Sequence, residues 1–458
     1  MQAVTPAPDG GYPGGNTAEG QNALLSLTTG GFNTANGWLS LRAVTTGSFN
    51  TGVGAGALAL NTASENTATG TGALLLNSTG TQNTASGAFA LLHNTIGNQN
   101  TATGDRALFT NTEGLRNTAN GFAALNGNFT GSDNTAVGSQ ALIINADGHN
   151  NTAVGSEALF FNSSGVFNTA VGTGALFNND TANNNTAVGV DALHGNGTGY
   201  SNTAVGMAAL FSNVGGAQDT ALGAGALQFN NGTANTAVGY SALGFNTTAS
   251  ANSAVGFNAL ALSTGDYNVA VGYLAGGNAT TGSNNVYIGA QMEGVTGESN
   301  ACYIASIFGQ TSVNGMPVLI NSNSKLGTTT SSKRFKEDIK PMNKDSEALF
   351  ALKPVSFRYK KEIDPGGTSQ FGLVAEEVEK VDSDLVVHDN QGKPYSVRYD
   401  QVNAMLLNEF LKEHRKVTKL EEAVASLSAT VKAQALQIQK VSAQIEVSGA
   451  RPQVVSAP

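Results

Sequence analysis

The stretch Asn134-Thr135-Ala136-Val137-Gly138-Ser139-Gln140-Ala141-Leu142-Ile143-Ile144-Asn145-Ala146-Asp147-Gly148-His149-Asn150 decides the fold, because Asn151-Thr152-Ala153-Val154-Gly155 starts it again seventeen residues later. Outward from there the same opening recurs in both directions, from Asn16-Thr17-Ala18 to Asn285-Val286-Tyr287-Ile288-Gly289. Unit starts fall at 16, 33, 50, 66, 83, 100, 117, 134, 151, 168, 185, 202, 219, 235, 252, 268 and 285, so the spacing is 17, with 16 at three places. The consensus is N-T-A-V-G-x-x-A-L-x-x-N-x-x-G-x-x, and Asp219 replaces the leading asparagine once.

Helical repeats need about 30 residues or more, and this density of glycine and asparagine would break a helix. Seventeen residues fit one coil of a β-solenoid, with two short strands and two turns. T-A-V-G alternates sides as a strand must, and Ala141-Leu142 or Ala158-Leu159 supplies the second buried position. Small inward residues imply a narrow interior. Glycine supplies positive φ in turns and asparagine tolerates it. Stacked coils would align the asparagines into ladders. At about 4.8 Å per coil the rod would be roughly 80 Å long.

Charge separates this region from the rest. Residues 1–300 contain Arg42, Arg106, Arg116 and no lysine against 14 acidic residues, a net of −11; residues 301–458 hold 20 basic and 18 acidic residues, a net of +2. Three cations cannot neutralise a phosphate backbone, so nucleic acid is not an expected partner. Cys302 alone excludes a disulfide framework and a cysteine metal cluster, and neither a metal nor another cofactor is expected. No stretch approaches a membrane span. The start, MQAVTPAPDGGYPGG, shows no secretory leader and reads like the interior of a longer protein. A hydrophobic content of 40% argues for a packed chain rather than a disordered one.

Over residues 16–290 the repeat resembles the heads of trimeric autotransporter adhesins, whose units form β-rolls that associate in threes. The recurring residues read first as structural. A regular Thr/Asn face could instead order water, as in an ice-binding solenoid, and solenoid loops could bind a host glycan or protein. A polysaccharide-cleaving site needs paired carboxylates; Asp180, Asp191 and Glu157 are the nominees, and nothing sets them apart from solvating charges. His93, His149 and His194 share no spacing and read as exposed loop residues.

Lysine first appears at Lys325. Before it, Cys302–Ile307 and Val318–Ile320 read as strands. A charged segment follows: Ser331-Ser332-Lys333-Arg334-Phe335-Lys336-Glu337-Asp338-Ile339-Lys340-Pro341. Then come Ala351-Leu352-Lys353-Pro354-Val355-Ser356-Phe357, Phe371-Gly372-Leu373-Val374-Ala375-Glu376-Glu377-Val378 and Tyr395-Ser396-Val397-Arg398-Tyr399. This order resembles the endosialidase-type intramolecular chaperone, a self-cleaving peptidase family of phage tail spikes and bacterial surface fibres. The resemblance implies a homotrimer that helps an upstream β-fibre to fold and then cuts itself off. It implies Ser331 as nucleophile, Lys336 as its partner, Thr330–Ser331 as the scissile bond, and supporting roles for Arg334 and Glu376. Two departures stand out. The family has Asp after the serine where Ser332 stands, and often Gln where Glu376 stands. The chemistry is coherent without a histidine, so His388 and His414 are left out. A lysine can deprotonate a hydroxyl if burial lowers its pKa.

Val417, Leu420, Val424, Leu427, Val431, Ile438, Val441 and Ile445 follow alternating steps of three and four, with Gln434 in the one polar position. That is the seam of a parallel coiled coil, and the resemblance makes it a trimer. The expected organisation is a lead-in at 1–15, a β-solenoid at 16–300, a β junction at 301–330, a small α+β chaperone core at 331–400, a coiled-coil helix at 401–447 and a frayed tail at 448–458. The fold class is mainly β. The expected setting is a cell surface, the extracellular space or a virion.

Overall fold

The computed structural model describes residues 12–449. Residues 1–11 of the expected lead-in and 450–458 of the expected tail lie outside the described residues. The chain divides into two compact units, Met1–Gln310 and Thr311–Pro458.

The first unit is a parallel β-solenoid. Each coil contributes one three-residue strand, from β1 (Thr17–Glu19) to β17 (Val286–Ile288) and β18 (Cys302–Ile304), stacked in one parallel sheet. Register is strict, as in Thr135↔Thr152, Ala136↔Ala153 and Val137↔Val154. The middle alanine of the strand faces in and is fully buried, while its neighbours face out. The core is a column of these alanines flanked by the buried Ala-Leu pairs. A methyl at two of three inward positions is what lets so short a coil close.

Two expectations need correction. The second buried segment is not a strand. Five isolated parallel bridges, running from Gly127↔Ile144 to Gly195↔Ser212, are all the strand pairing it shows among the described residues. Its backbone alternates: Gln140 and Leu142 have φ of 58° and 53°. Gln140 N–H donates back to Phe122 O at 2.8 Å, while Leu142 N–H donates forward to Ala158 O at 2.8 Å. A left-handed leucine costs about 1–2 kcal/mol. Burying its side chain returns about 1.5–3 kcal/mol, and the coil-to-coil hydrogen bond adds to that.

Nor do the repeated asparagines occupy the positive-φ positions. They are buried and form two ladders. In the first, the Asn151 N–H donates to Asn134 Oδ1 at 3.0 Å. In the second, Asn145 Nδ2 donates to Asn128 Oδ1 at 2.7 Å. The two converge, since Asn134 Nδ2 and Asn145 Nδ2 both donate to Gly148 O, at 2.8 and 2.9 Å. Buried amides must be paired, and an amide that both donates and accepts along the stack satisfies this coil after coil. The strand-end glycine is obligatory: Gly138 has φ +137°, and a Cβ there would lie 2.4 Å from Gly155 O.

The three short coils all lose their residue in one turn, the one after the second ladder. Asn61-Thr62-Ala63 stands where Asn77-Ser78-Thr79-Gly80 is usual. The ladder bond survives, with Asn50 Nδ2 donating to Ala63 O at 2.8 Å. At the C-terminal end the inward alanine becomes Tyr287 and then Tyr303, stacked with centroids 5.8 Å apart. Leucine correspondingly becomes Gly276, where a Cβ would lie 3.0 Å from Tyr287 Cδ2. The Tyr287 hydroxyl is buried with no hydrogen-bond partner among the described residues.

The second unit holds three antiparallel pairs: β19 (Val318–Ile320) with β20 (Leu326–Thr328), β21 (Val355–Phe357) with β22 (Gln370–Gly372), and β23 (Val386–His388) with β24 (Pro394–Val397). Helix α1 (Ala375–Glu379) and the long helix α2 (Tyr399–Gly449) complete it. Val378, Leu385, Val386, Val397 and Met405 form a small core. Past its first turns α2 has no cover. Leu420, Val424, Leu427, Val431, Ile438, Val441 and Ile445 are all exposed. No helix among the described residues is long and apolar enough to cross a membrane.

Candidate functional site

The segment after β20 runs extended to Ser332 and then makes one 3-10 turn over Lys333–Phe335. Phe335 N–H donates to Ser332 O at 3.0 Å and Lys336 N–H to Lys333 O at 3.2 Å. That turn folds a five-residue spacing back on itself, so that Lys336 Nζ donates to Ser331 Oγ at 3.2 Å. Ser331, Lys333, Lys336, Asp338 and Ile339 line an open depression, and the two principal side chains are exposed within one chain. Two of the expected residues are therefore together and two are not. Arg334 lies over its neighbour, its guanidinium carbon 4.7 Å from the Phe335 ring centroid, a cation–π contact. Glu376 is exposed in the first turn of α1.

General-base catalysis needs a neutral amine that accepts the hydroxyl proton. The arrangement supplies the proximity for that transfer.

A second polar cluster escapes the sequence reading. Ser346 is fully buried in the 3-10 stretch Asp345–Ala351. It contacts Glu409 Oε1, accepts from Asn408 Nδ2 at 2.7 Å and lies 3.3 Å from Lys412 Nζ. Lys412 also pairs with Glu409 at 2.6 Å. Hydrogen bonds from Lys412 and then Ser346 hold the Glu409 carboxyl below its usual range. Nearby, Leu373 N–H donates to Tyr399 Oη at 3.0 Å. These contacts dock the start of α2 on the small domain. Sixty-two to 66 residues separate the partners of Ser346 from it in sequence, so no local spacing signals them.

The three histidines are half-buried rather than exposed, because the coil stack places them in ladders. His194 stacks between Phe177 and Phe211, with centroids at 4.9 and 5.1 Å. His93 packs edge-on to Phe109 at 5.0 Å, and His149 Nδ1 accepts from Ser132 N–H at 3.0 Å.

Residues 331–387 match the family described as chaperone of endosialidase. No curated protein and no solved structure matches the chain. The match begins at Ser331, the residue that accepts the Lys336 hydrogen bond.

Proposed function

We propose that the chain is a fibre protein of the tail-spike or surface-fibre type. In this reading its C-terminal domain gathers three copies, helps the solenoid to fold and then cuts the Thr330–Ser331 bond. One observation carries the cutting step: Ser331, the first residue of the matched segment, lies in hydrogen-bond reach of Lys336. Ser331 Oγ attacks the Thr330 carbonyl carbon and loses its proton to Lys336 Nζ. The Thr330–Ser331 C–N bond breaks, the proton passes to the departing amine, and an ester remains. Water hydrolyses it, leaving a Thr330 carboxylate and a free N-terminal Ser331. Attack from the adjacent residue carries the advantage of an intramolecular reaction. Desolvation by neighbouring copies supplies the neutral lysine, which ties cutting to assembly. Arg334 and Glu376 serve in supporting roles only once assembly repositions them.

The folding role has a physical motive. Near-identical coils lose little when they slip by one unit, so long repeats are slow to find register. A C-terminal clamp aligns three ends and raises their effective concentration. Removing it afterwards makes assembly hard to reverse. The bare seam of α2 supports self-association. A cell-surface or virion setting, with a host glycan or receptor as possible ligand class, belongs to the same proposal. The test is intact mass after expression of the full chain: a fragment beginning at Ser331 is expected, and Ser331→Ala and Lys336→Ala are expected to stay whole. Wild-type chain that stays whole, or a Ser331→Ala chain that is still cut, overturns the cutting step.

A further inference from the structure

Between Glu298 and Lys333 the only charged residue is Lys325. In this interval β19 pairs with β20 in the register Val318↔Thr328, Leu319↔Gly327 and Ile320↔Leu326. Asn321 closes the turn, its Oδ1 accepting from Asn323 N–H at 3.1 Å and Lys325 N–H at 3.0 Å. The hairpin is well formed and wholly uncovered. Val313 is 82% exposed, Ile320 65% and Leu319 46%, and Met316, Val318 and Leu326 are exposed as well. Not one residue of 311–330 is buried. Both faces of β19 are apolar, the pattern of a strand buried on two sides. A lone two-stranded hairpin is marginal in water, and a bare apolar edge invites uncontrolled pairing.

We propose that this hairpin is a three-chain lock: the hairpins of three copies pack on one another and hold the shaft together after the bond at Thr330–Ser331 is cut. The inference rests on the reading above and adds the surface that makes it durable. Cutting removes α2, so whatever holds three shafts afterwards must lie before Ser331. The hairpin ends three residues before that serine. A domain that gathers identical chains there delivers three identical hairpins to one another in register. The partner is a second and third copy rather than a glycan, because the six bare side chains offer no hydrogen-bonding group. A charge-free apolar strand complements itself.

The test uses the full chain. Wild-type shaft after cutting is expected to sediment as three chains. Leu319→Asp with Ile320→Asp is expected to fall to single chains once cut, while the same pair in the uncut Ser331→Ala chain stays at three through α2. A cut Asp variant that remains at three chains overturns the lock. A second variant guards against misfolding: Leu319→Cys in a Cys302→Ser, Ser331→Ala chain, treated with a short bis-maleimide. Cross-linked dimers on a denaturing gel, the most that one thiol per chain allows, support the lock. Their absence from material that sediments as three chains overturns it. If the wild-type chain sediments as one chain, the underlying reading falls, and the lock with it.

Discussion

Asp219 is the one carboxylate in a ladder of amides, and replacing it by asparagine tests how the ladders work. The residue is 1% exposed. Its carboxylate accepts from Asn235 N–H at 2.8 Å, Asn235 Nδ2 at 3.1 Å and Asn230 Nδ2 at 2.9 Å. Burial, the largest influence, nevertheless pushes its pKa up to about 7, against the lowering by these hydrogen bonds. Unfolded, the group titrates near 3.9. The folded state therefore binds the extra proton between those values, and stability falls as pH rises from about 4 to about 7. The loss grows by about 2 kcal/mol between pH 5 and pH 7.5, on the order of tens-fold in local opening. Asp219→Asn removes the titration and returns an Nδ2 donor to the register where Asn202 donates to Gly216 O at 2.9 Å. Coil arrays open locally rather than as one unit, so the assay is amide hydrogen exchange of the peptide spanning 219–235, corrected for intrinsic rates. Wild-type protection is expected to drop by tens-fold, on the order of ten to a hundred, from pH 5 to pH 7.5, and protection in the variant to stay flat. Equal pH dependence in the two proteins would refute the argument.

Three other outcomes follow from the packing. Tyr287→Phe deletes a buried hydroxyl that has no partner and is expected to raise local stability at the rod's C-terminal end by about 1 kcal/mol, read by exchange of residues 276–303. Gly138→Ala forces a Cβ to within 2.4 Å of Gly155 O at φ +137°; the expected cost is at least about 1–3 kcal/mol, seen as lost protection in the flanking coils. Leu427→Asp with Val431→Asp places charge in the exposed seam of α2 and is expected to reduce the sedimenting mass from three copies to one in the uncut Ser331→Ala chain that also carries Leu319→Asp and Ile320→Asp.

The repeat was legible because the coil imposes it: Ala136 must be small, Gly138 must lack a Cβ, and Asn134 must both donate and accept. What misled was asparagine's reputation as a turn residue. The left-handed positions fall on Gln140 and Leu142 instead, where burial and coil-to-coil bonds outweigh an unfavourable φ that no propensity scale reveals. The proximity of Ser331 and Lys336 could be read because one short turn makes it. The Ser346–Asn408–Glu409–Lys412 cluster could not, because tertiary folding alone joins its halves. Arg334 and Glu376 entered through the resemblance rather than through spacing, and the single chain leaves them apart from the serine.

The three short coils show that the solenoid treats its length as adjustable. Only one turn absorbs the missing residue, and the first ladder runs on unbroken through all three short coils. Whole units are alike enough to be duplicated or lost by recombination between them, each exchange changing the rod by one step of the stack. The tyrosine-plugged end and everything after it would be untouched. A lineage can therefore retune how far such a fibre reaches without reinventing how it is built, and the turn that tolerates deletion is where a grafted peptide would be displayed at regular intervals along the shaft.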